Sequence, residues 1–178
     1  MIILDFETNS HNIGDVIEAA AVKVLLVEGQ FKVIDRFHRY YLSRYPVNPY
    51  SYEVHKLTPE LILEHREGTS YSSYFKEDED FIDFCKDANT LVAHNITFEL
   101  RHLDKMVNFE NHFCTMKENK QIVKALGKTL KVKNPKLDET CVYYNIDFDA
   151  NSYHSATYDV SKTFEILKHM KQNNTLKL

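Results

Sequence analysis

The sequence has few of the residues that usually mark chain breaks, because its 178 residues include four glycines and four prolines. No glycine- or proline-rich linker, internal repeat or low-complexity tract divides it, so we expect a single domain over residues 1–178. It also lacks any run near the roughly 20 apolar residues that cross a bilayer. A content of 43% hydrophobic and 12% aromatic residues is typical of a soluble globular protein and argues against a disordered or membrane protein.

Paired cysteine motifs are absent as well. The three cysteines, Cys85, Cys114 and Cys141, lie far apart and form no Cys-x-x-Cys pair. An odd, scattered set of cysteines is typical of buried thiols in a reducing compartment. The N-terminus, Met1 to Asp5, has neither the basic region nor the long apolar stretch of a signal peptide. We therefore expect a cytoplasmic protein.

The net charge is −4, so the chain lacks the excess of basic residues found in most proteins that bind polynucleotides through their phosphates. The charge is segregated, however. Residues 117–136 contain seven lysines and one acid, Glu118, a local charge of +6 that leaves −10 on the remainder. One basic patch on an acidic body suits a protein that concentrates carboxylates for a metal and holds only a short strand of nucleic acid.

Five lysines of this patch have the spacing of one helix face. On a helix over residues 117–131 they would fall within an arc of about 80°. Such a face is either a solvated surface or a docking strip for a nucleic-acid backbone or an acidic partner. The five are Lys117, Lys120, Lys124, Lys128 and Lys131.

The order of apolar segments predicts a mixed sheet flanked by helices. A short strand is followed by an antiparallel hairpin, and strands then alternate with helices, which is typical of an α/β sandwich. A capping Thr58 followed by Pro59 predicts a helix start. The predicted strands cover residues 1–4, 16–27, 31–42, 91–93 and 113–116. The other predicted helices cover residues 74–86, 96–106, 117–131, 135–144 and 156–172.

Two acids close the first strand, Asp5 and Glu7. Residues i and i+2 of a strand point to the same face, so both carboxylates are directed at one region of space. Like charges at that separation raise each other's pKa unless a cation neutralises them. Hard oxygen ligands suit Mg²⁺ or Mn²⁺. Taken alone, the pair also fits solvated acids at a strand end.

A histidine and a third acid open the last predicted helix. His154 ends a polar loop, and Asp159 falls in the first helical turn. An imidazole that titrates near neutrality is a natural base for taking a proton from water. The alternative is a loop histidine together with an acid that merely stabilises the helix N-terminus.

A fourth group follows the predicted strand that ends at Ala93. A helix starts directly after it, which puts Asn95, Thr97 or Glu99 at the carboxyl end of a strand, where ligand sites in α/β sheets lie. Asn95 or Thr97 could equally be a simple helix cap.

Together these elements resemble the DnaQ-like 3′→5′ exonucleases, in their DEDDh branch and of the proofreading type. The matching motifs are Asp5-Phe-Glu7-Thr8, His94-Asn-Ile-Thr-Phe-Glu99 and His154-Ser-Ala-Thr-Tyr-Asp159. Weaker matches are Ile17 to Lys23 with the family's second strand, His55 to Pro59 with its His-Gly-Ile-Thr turn, and Lys136 to Cys141 with a later helix. The resemblance extends from Met1 to about Met170.

The resemblance implies a ribonuclease H-like mixed five-stranded sheet flanked by helices, and hydrolysis with two ions, Mg²⁺ or Mn²⁺. Asp5 would bridge both ions, Glu7 and Asp159 would complete the first site, Glu99 would act on the second, and His154 would be the general base. The implied nucleotide-binding residues are Phe6, Thr8, His55 and Asn95.

The sequence departs from the family once, since Glu99 stands where the family has Asp. The charge is kept, but the carboxylate lies one methylene further from the backbone. Mg²⁺ demands near-ideal octahedral geometry. We therefore expect a working enzyme that favours the more permissive Mn²⁺.

The expected activity is removal of nucleoside monophosphates from single-stranded 3′ ends, with DNA favoured over RNA. Two alternatives stay open. One is an RNA-trimming enzyme that resembles oligoribonuclease or ribonuclease T, and the other is a nucleic-acid-binding module weakened in catalysis through Glu99. The sequence contains no polymerase or helicase region, so a polymerase or another replication or repair protein is a candidate partner.

Overall fold

A central strand with neighbours on both sides organises the sheet. The computed structural model describes residues 1–176, and within them five strands pair in the order β3-β2-β1-β4-β5. Strand β2 runs antiparallel to both β1 and β3, whereas β4 is parallel to β1 and β5 is parallel to β4. The strands are β1 (Ile2–Thr8), β2 (Val16–Val27), β3 (Gln30–Tyr40), β4 (Thr90–Ala93) and β5 (Asn111–Cys114).

Helices cover both faces of this sheet. The mixed five-stranded sheet flanked by helices confirms the expected fold class. In the described chain the α-helices are α1 (Pro49–His55), α2 (Pro59–His65), α3 (Glu79–Cys85), α4 (Ile96–Leu103), α5 (Thr115–Val123), α6 (Leu137–Tyr143) and α7 (Ala156–Gln172).

Alternation along β1 separates two layers. Ile2, Leu4 and Phe6 are buried in the core that also contains residues of α3 and α4. Ile3 belongs to the opposite core, which α6 and α7 complete. Because successive side chains of a strand point to opposite faces, Asp5 and Glu7 share the face of Ile3. The two acids are therefore directed toward the α7 layer.

Local sequence signals correctly predicted helices α2 and α7. Helix α7 covers the predicted residues, and the Thr58 hydroxyl accepts a hydrogen bond from the Leu61 N–H at the start of α2. Helix α1 was not predicted, although it carries the same signal. Asn48 caps it by accepting from the Tyr50 N–H, and Pro49 is its first residue.

The predicted helix over residues 117–131 is wrong. Helix α5 begins at Thr115 and ends at Val123, because Lys124 adopts a left-handed conformation with φ of 52°. The chain then folds into a small hairpin in which Leu126 bridges Val132 in antiparallel fashion. Gly127 is a poor helix former, and regular charge spacing does not bury an apolar face. The five lysines therefore do not share one helix face.

Other predicted bounds shift by a few residues. The strand predicted at 113–116 ends at Cys114, since Thr115 starts α5. The helix predicted over 74–86 divides into a 3-10 turn, Phe75–Glu77, and α3, whose N-cap is Asp78. Within residues 1–176, no helix is both long and apolar enough to span a bilayer.

Candidate metal and active site

Four carboxylates from three elements meet at the carboxyl end of β1. Asp5 and Glu7 come from β1 itself, and Asp159 comes from the first turn of α7 on the same side of the sheet. Glu99 comes from the first turn of α4. The sequence predicted all four positions, and the fold brings them together because β1 is central and both helices begin at this edge.

The most compact part of the site joins Glu7, His154 and Asp159. Each offers one ligand atom, and these three atoms all lie within 4.8 Å of one another. Glu7 is 8% exposed, Asp159 6% and Glu99 2%, so the acids are largely withdrawn from water. His154 was expected to act as a base, and here one of its ring nitrogens is also close enough to both carboxylates for the three groups to hold a single ion.

Burial raises the pKa of every one of these acids, and repulsion from neighbouring carboxylates adds to the rise at Asp5, Glu7 and Asp159. Burial is the largest cause in each case. The pKa of Glu99 rises to about 8 and that of Asp159 to about 7. The pKa values of Asp5 and Glu7 lie well above their ordinary values, with Asp159 as the next cause after burial. Without a cation, the cluster therefore retains protons at neutral pH.

Two oxygens of this cluster have no hydrogen-bond partner among the described residues. They are Glu99 Oε2 and Asp159 Oδ1, and both are buried. A buried polar atom without a partner costs free energy, so such atoms are rare without a reason. A hard divalent cation supplies that reason, because it would accept these oxygens as ligands and replace the protons. The residues present therefore fit the expected metal.

His154 lies in the loop before α7, held in a left-handed conformation with φ of 67°. Its ring stacks on Tyr153, with the ring centroids 3.7 Å apart. Burial and then the charge of Lys136 lower the pKa of His154, and Asp138 opposes them in part. The imidazole is consequently neutral at pH 7, which is the form that accepts a proton.

Sequence reasoning missed the part played by Glu18. It is 1% exposed on β2 and lies directly opposite Glu7 in the antiparallel register. Its Oε2 accepts from the Ala156 N–H at 3.3 Å, and its Oε1 accepts from His38 Nε2 at 2.9 Å. Glu18 therefore caps α7 from the sheet and fixes the helix that carries Asp159. An acid inside the apolar strand of residues 16–27 was the available signal.

Phe6 does not fit its predicted nucleotide-binding role. Its side chain is 3% exposed and packs edge-on against Phe75, with ring centroids 4.9 Å apart. It points away from the acid face because it alternates with Asp5 and Glu7. Phe6 is a core residue, and its position in the motif sets the strand register of the two acids.

Of the other predicted nucleotide-binding residues, Thr8 ends β1 beside Glu7, and Asn95 precedes α4. Asn95 holds the N-cap position, but its side chain makes no capping hydrogen bond and is exposed. The simple-cap interpretation is therefore wrong for its side chain. Thr97 is likewise exposed in the first turn of α4.

His55 is buried at the end of α1 and faces the site. Its Nδ1 accepts from the Leu57 N–H at 2.9 Å, so the proton of the neutral ring lies on Nε2. Burial lowers its pKa to about 4, and Nε2 finds no partner among the residues described. The Nε2–H is thus a donor available to a ligand. An open cleft of about 470 Å³ beside it is lined by His55, Lys56, Asn151, Tyr153, His154 and Tyr158, among others.

Similarity to known exonucleases extends over most of the chain. A model of the family described as RNase_T, exonuclease, matches residues 2–167. No curated protein sequence matches the chain.

Solved structures share the fold. Exonuclease X in complex with 5′ overhanging duplex DNA is 17% identical with a TM-score of 0.62, over 97% of this chain and 92% of that one. A 3′-exonuclease that recognises the 3′ end of a histone mRNA stem-loop is 14% identical with a TM-score of 0.65, over 98% and 82%. Exonuclease I of E. coli with a dT13 oligonucleotide is 14% identical with a TM-score of 0.72, over 96% and 40%. The ribonuclease H-like fold is confirmed.

The raised pKa of Glu99 predicts a pH-dependent stability. An acid whose folded pKa lies above its ordinary value of 4.5 binds more protons when folded, so its contribution is present at low pH and lost as pH rises toward about 8. In EDTA, Glu99→Gln should therefore raise the melting temperature relative to wild type at pH 8.5 and much less at pH 5.5. Glu60→Gln, on the exposed side of α2, is the control. An equal difference at both pH values would contradict the prediction.

The capping role of Glu18 is tested by two substitutions at one position. Glu18→Gln keeps an oxygen that accepts from Ala156, whereas Glu18→Ala leaves that buried N–H without a partner. We expect the alanine variant to be less stable than the glutamine variant by about 1–3 kcal/mol in urea denaturation. Equal stability of the two variants would show that the hydrogen bond does not hold α7.

Proposed function

This chain belongs to the RNase_T exonuclease family, the DnaQ-like group that its motifs resemble, and we propose that it removes nucleoside monophosphates one at a time from the 3′ end of single-stranded DNA. The family makes it a nuclease that hydrolyses phosphodiester bonds. The strand type, the direction and the two-ion chemistry are the proposal.

One observation carries the proposal. Two buried carboxylate oxygens, on Glu99 and Asp159, have no partner among residues 1–176, and they lie in a cluster with two further acids. Protons can neutralise such a cluster, but they leave these two oxygens without a partner, whereas a ligand of opposite charge would supply one. A neutral imidazole beside these acids supports hydrolysis, because a base is needed where a water must lose a proton.

Each residue has a role in this scheme. Asp5, Glu7 and Asp159 would hold one divalent cation, and Asp5 and Glu99 would hold a second. Bound cations lower the pKa of the water they hold and stabilise the negative charge of the leaving oxygen. His154 accepts the proton of the attacking water at its free ring nitrogen. His55 would donate from Nε2 to the terminal nucleotide, and Thr8 and Asn95 would contact the same nucleotide.

Single-stranded DNA is the favoured substrate. Relatives of the same fold were solved with an oligonucleotide of deoxythymidine and with duplex DNA that has a 5′ overhang. A second candidate is trimming of RNA 3′ ends, favoured by the relative that recognises a histone mRNA stem-loop. The two differ in how the site treats a 2′-hydroxyl.

The cellular setting belongs to the same proposal. Cys85, Cys114 and Cys141 are all buried free thiols, which supports a reducing compartment such as the cytoplasm. A polymerase or another replication or repair protein would be the partner that delivers 3′ ends to the site.

The activity itself is tested with 5′-labelled DNA and RNA strands of 20 nucleotides in Mg²⁺ or Mn²⁺. We expect a ladder that shortens from the 3′ end, faster on DNA. Asp5→Ala should abolish it, because Asp5 is the one ligand common to both proposed cation sites. His154→Ala should slow it by about 10²–10⁴-fold. Strand binding without shortening in either metal would favour a binding module, and faster shortening of RNA would favour the second candidate.

The metal preference is tested at Glu99. The longer side chain should tolerate the looser coordination of Mn²⁺ better than the strict octahedral geometry of Mg²⁺. We expect the ratio of Mn²⁺- to Mg²⁺-supported rates to fall in Glu99→Asp, with both rates staying within about tenfold of wild type. An increase of Mg²⁺-supported activity by orders of magnitude would instead identify Glu99 as a defect in catalysis.

A further inference from the structure

A basic hairpin follows α5, and the proposed chemistry does not use it. We define the lysine hairpin as residues 124–133, which follow α5. It is closed by hydrogen bonds from the Gly127 N–H to the Lys131 carbonyl and from the Lys133 N–H to the Ala125 carbonyl, both at 2.9 Å. The segment contains four lysines and no acid.

His94, which follows β4, holds the chain at two points outside the hairpin: at Thr115, where α5 begins, and at Pro135, two residues after the hairpin ends. The Thr115 hydroxyl donates to His94 Nδ1 at 3.0 Å, and His94 Nε2 donates to the Pro135 carbonyl at 3.2 Å. Burial lowers the pKa of His94 to about 4, so the ring stays neutral and keeps both bonds at pH 7. His94 belongs to the motif that also supplies Glu99.

Two more lysines connect the hairpin to the site. Before it, Lys117 Nζ donates to Thr97 Oγ1 at 3.3 Å, at the start of α4. After it, Lys136 lies close enough to His154 to lower the pKa of that imidazole. The chain on either side of the hairpin therefore carries positive charge close to the helix that holds Glu99 and to His154.

The hairpin itself presents charge and apolar surface to solvent. Lys124, Lys128 and Lys131 are exposed, and no acid within residues 1–176 forms an ion pair with them. Lys133 differs, because it pairs with Glu139. Between the lysines, Leu126 is 57% and Leu130 78% exposed. A single strand of nucleic acid offers both counterparts, phosphates for the lysines and unstacked base faces for the leucines.

We propose that the lysine hairpin binds the substrate strand on the 5′ side of the scissile nucleotide and so sets affinity for long strands. This rests on the proposed exonuclease function. A strand whose 3′ end enters the carboxylate site must leave across a neighbouring surface, and the chain outside residues 117–136 carries a net charge of −10 that repels phosphates. The lysine hairpin attracts them, and it lies in the chain between Lys117, which contacts α4, and Lys136, which is near His154.

The test removes three charges, in the variant Lys124→Gln/Lys128→Gln/Lys131→Gln. Binding of a fluorescent 20-residue thymidylate strand is measured by anisotropy in EDTA between 50 and 300 mM NaCl, so that no cleavage occurs. We expect the dissociation constant to rise about tenfold at 0.1 M salt, and the slope of log affinity against log salt to flatten by about 2 for three lost phosphate contacts. In a second assay with Mg²⁺ or Mn²⁺, the variant's KM for the 20-mer should rise. Its rate of hydrolysis of a thymidylate dinucleotide, which is too short to reach the hairpin, should stay within about twofold of wild type.

The matched control is Lys32→Gln/Lys86→Gln/Lys168→Gln, which removes the same charge from exposed positions away from the carboxyl ends of β1 and β4. It should leave the salt slope unchanged. An unchanged slope in the hairpin variant would overturn the proposal and leave an acidic protein as the occupant of this surface. Wild-type protein that binds the strand but cleaves nothing in either metal would contradict the exonuclease function, whereas the binding comparison would still decide the hairpin.

Discussion

Repulsion between acids at the end of β1 is the constraint on which the rest of this structure depends. Asp5, Glu7, Glu99 and Asp159 carry the same charge when ionised, and the burial of Glu7, Glu99 and Asp159 removes the water that would screen it. A fold can hold such a group either by keeping protons on it or by binding a cation. The raised pKa values describe the first state, and the unpartnered oxygens of Glu99 and Asp159 suit the second.

The parts of the fold that surround the cluster follow from this constraint. Helix α7 must present Asp159 against that repulsion, and Glu18 holds the helix start by accepting from Ala156. That anchor is itself an acid opposite Glu7, so the sheet adds a fifth carboxylate to the same region. Its partner His38 supplies a donor on the other side. The acids at the site would repel phosphates, and the positive charge of the chain is concentrated instead in residues 117–136.

The sequence predicted features that depend on neighbouring residues and failed on those that depend on packing. Capping at Thr58 and the apolar period of α7 are local, and both predictions were correct. The burial of Phe6 and the contact of Glu18 with α7 depend on strand register and on residues more than a hundred positions apart, which no motif contains. The helix predicted over residues 117–131 was wrong for a different reason. The spacing of exposed charges does not show whether a helix has a buried face, and it does not predict that the helix ends before Lys124.

The geometry of the two layers gives a physical reason for a longer acid at position 99. Asp159 approaches from α7, on the face of the sheet that Asp5 and Glu7 share. Helix α4 packs in the other layer, with Ile96 and Leu103 in the core of Phe6. A carboxylate from α4 must therefore reach round the end of β1 to join the others, and it does so while 2% exposed. The extra methylene of Glu99 lengthens that reach. The longer side chain therefore spans the distance between the two layers and keeps the negative charge that a cation needs.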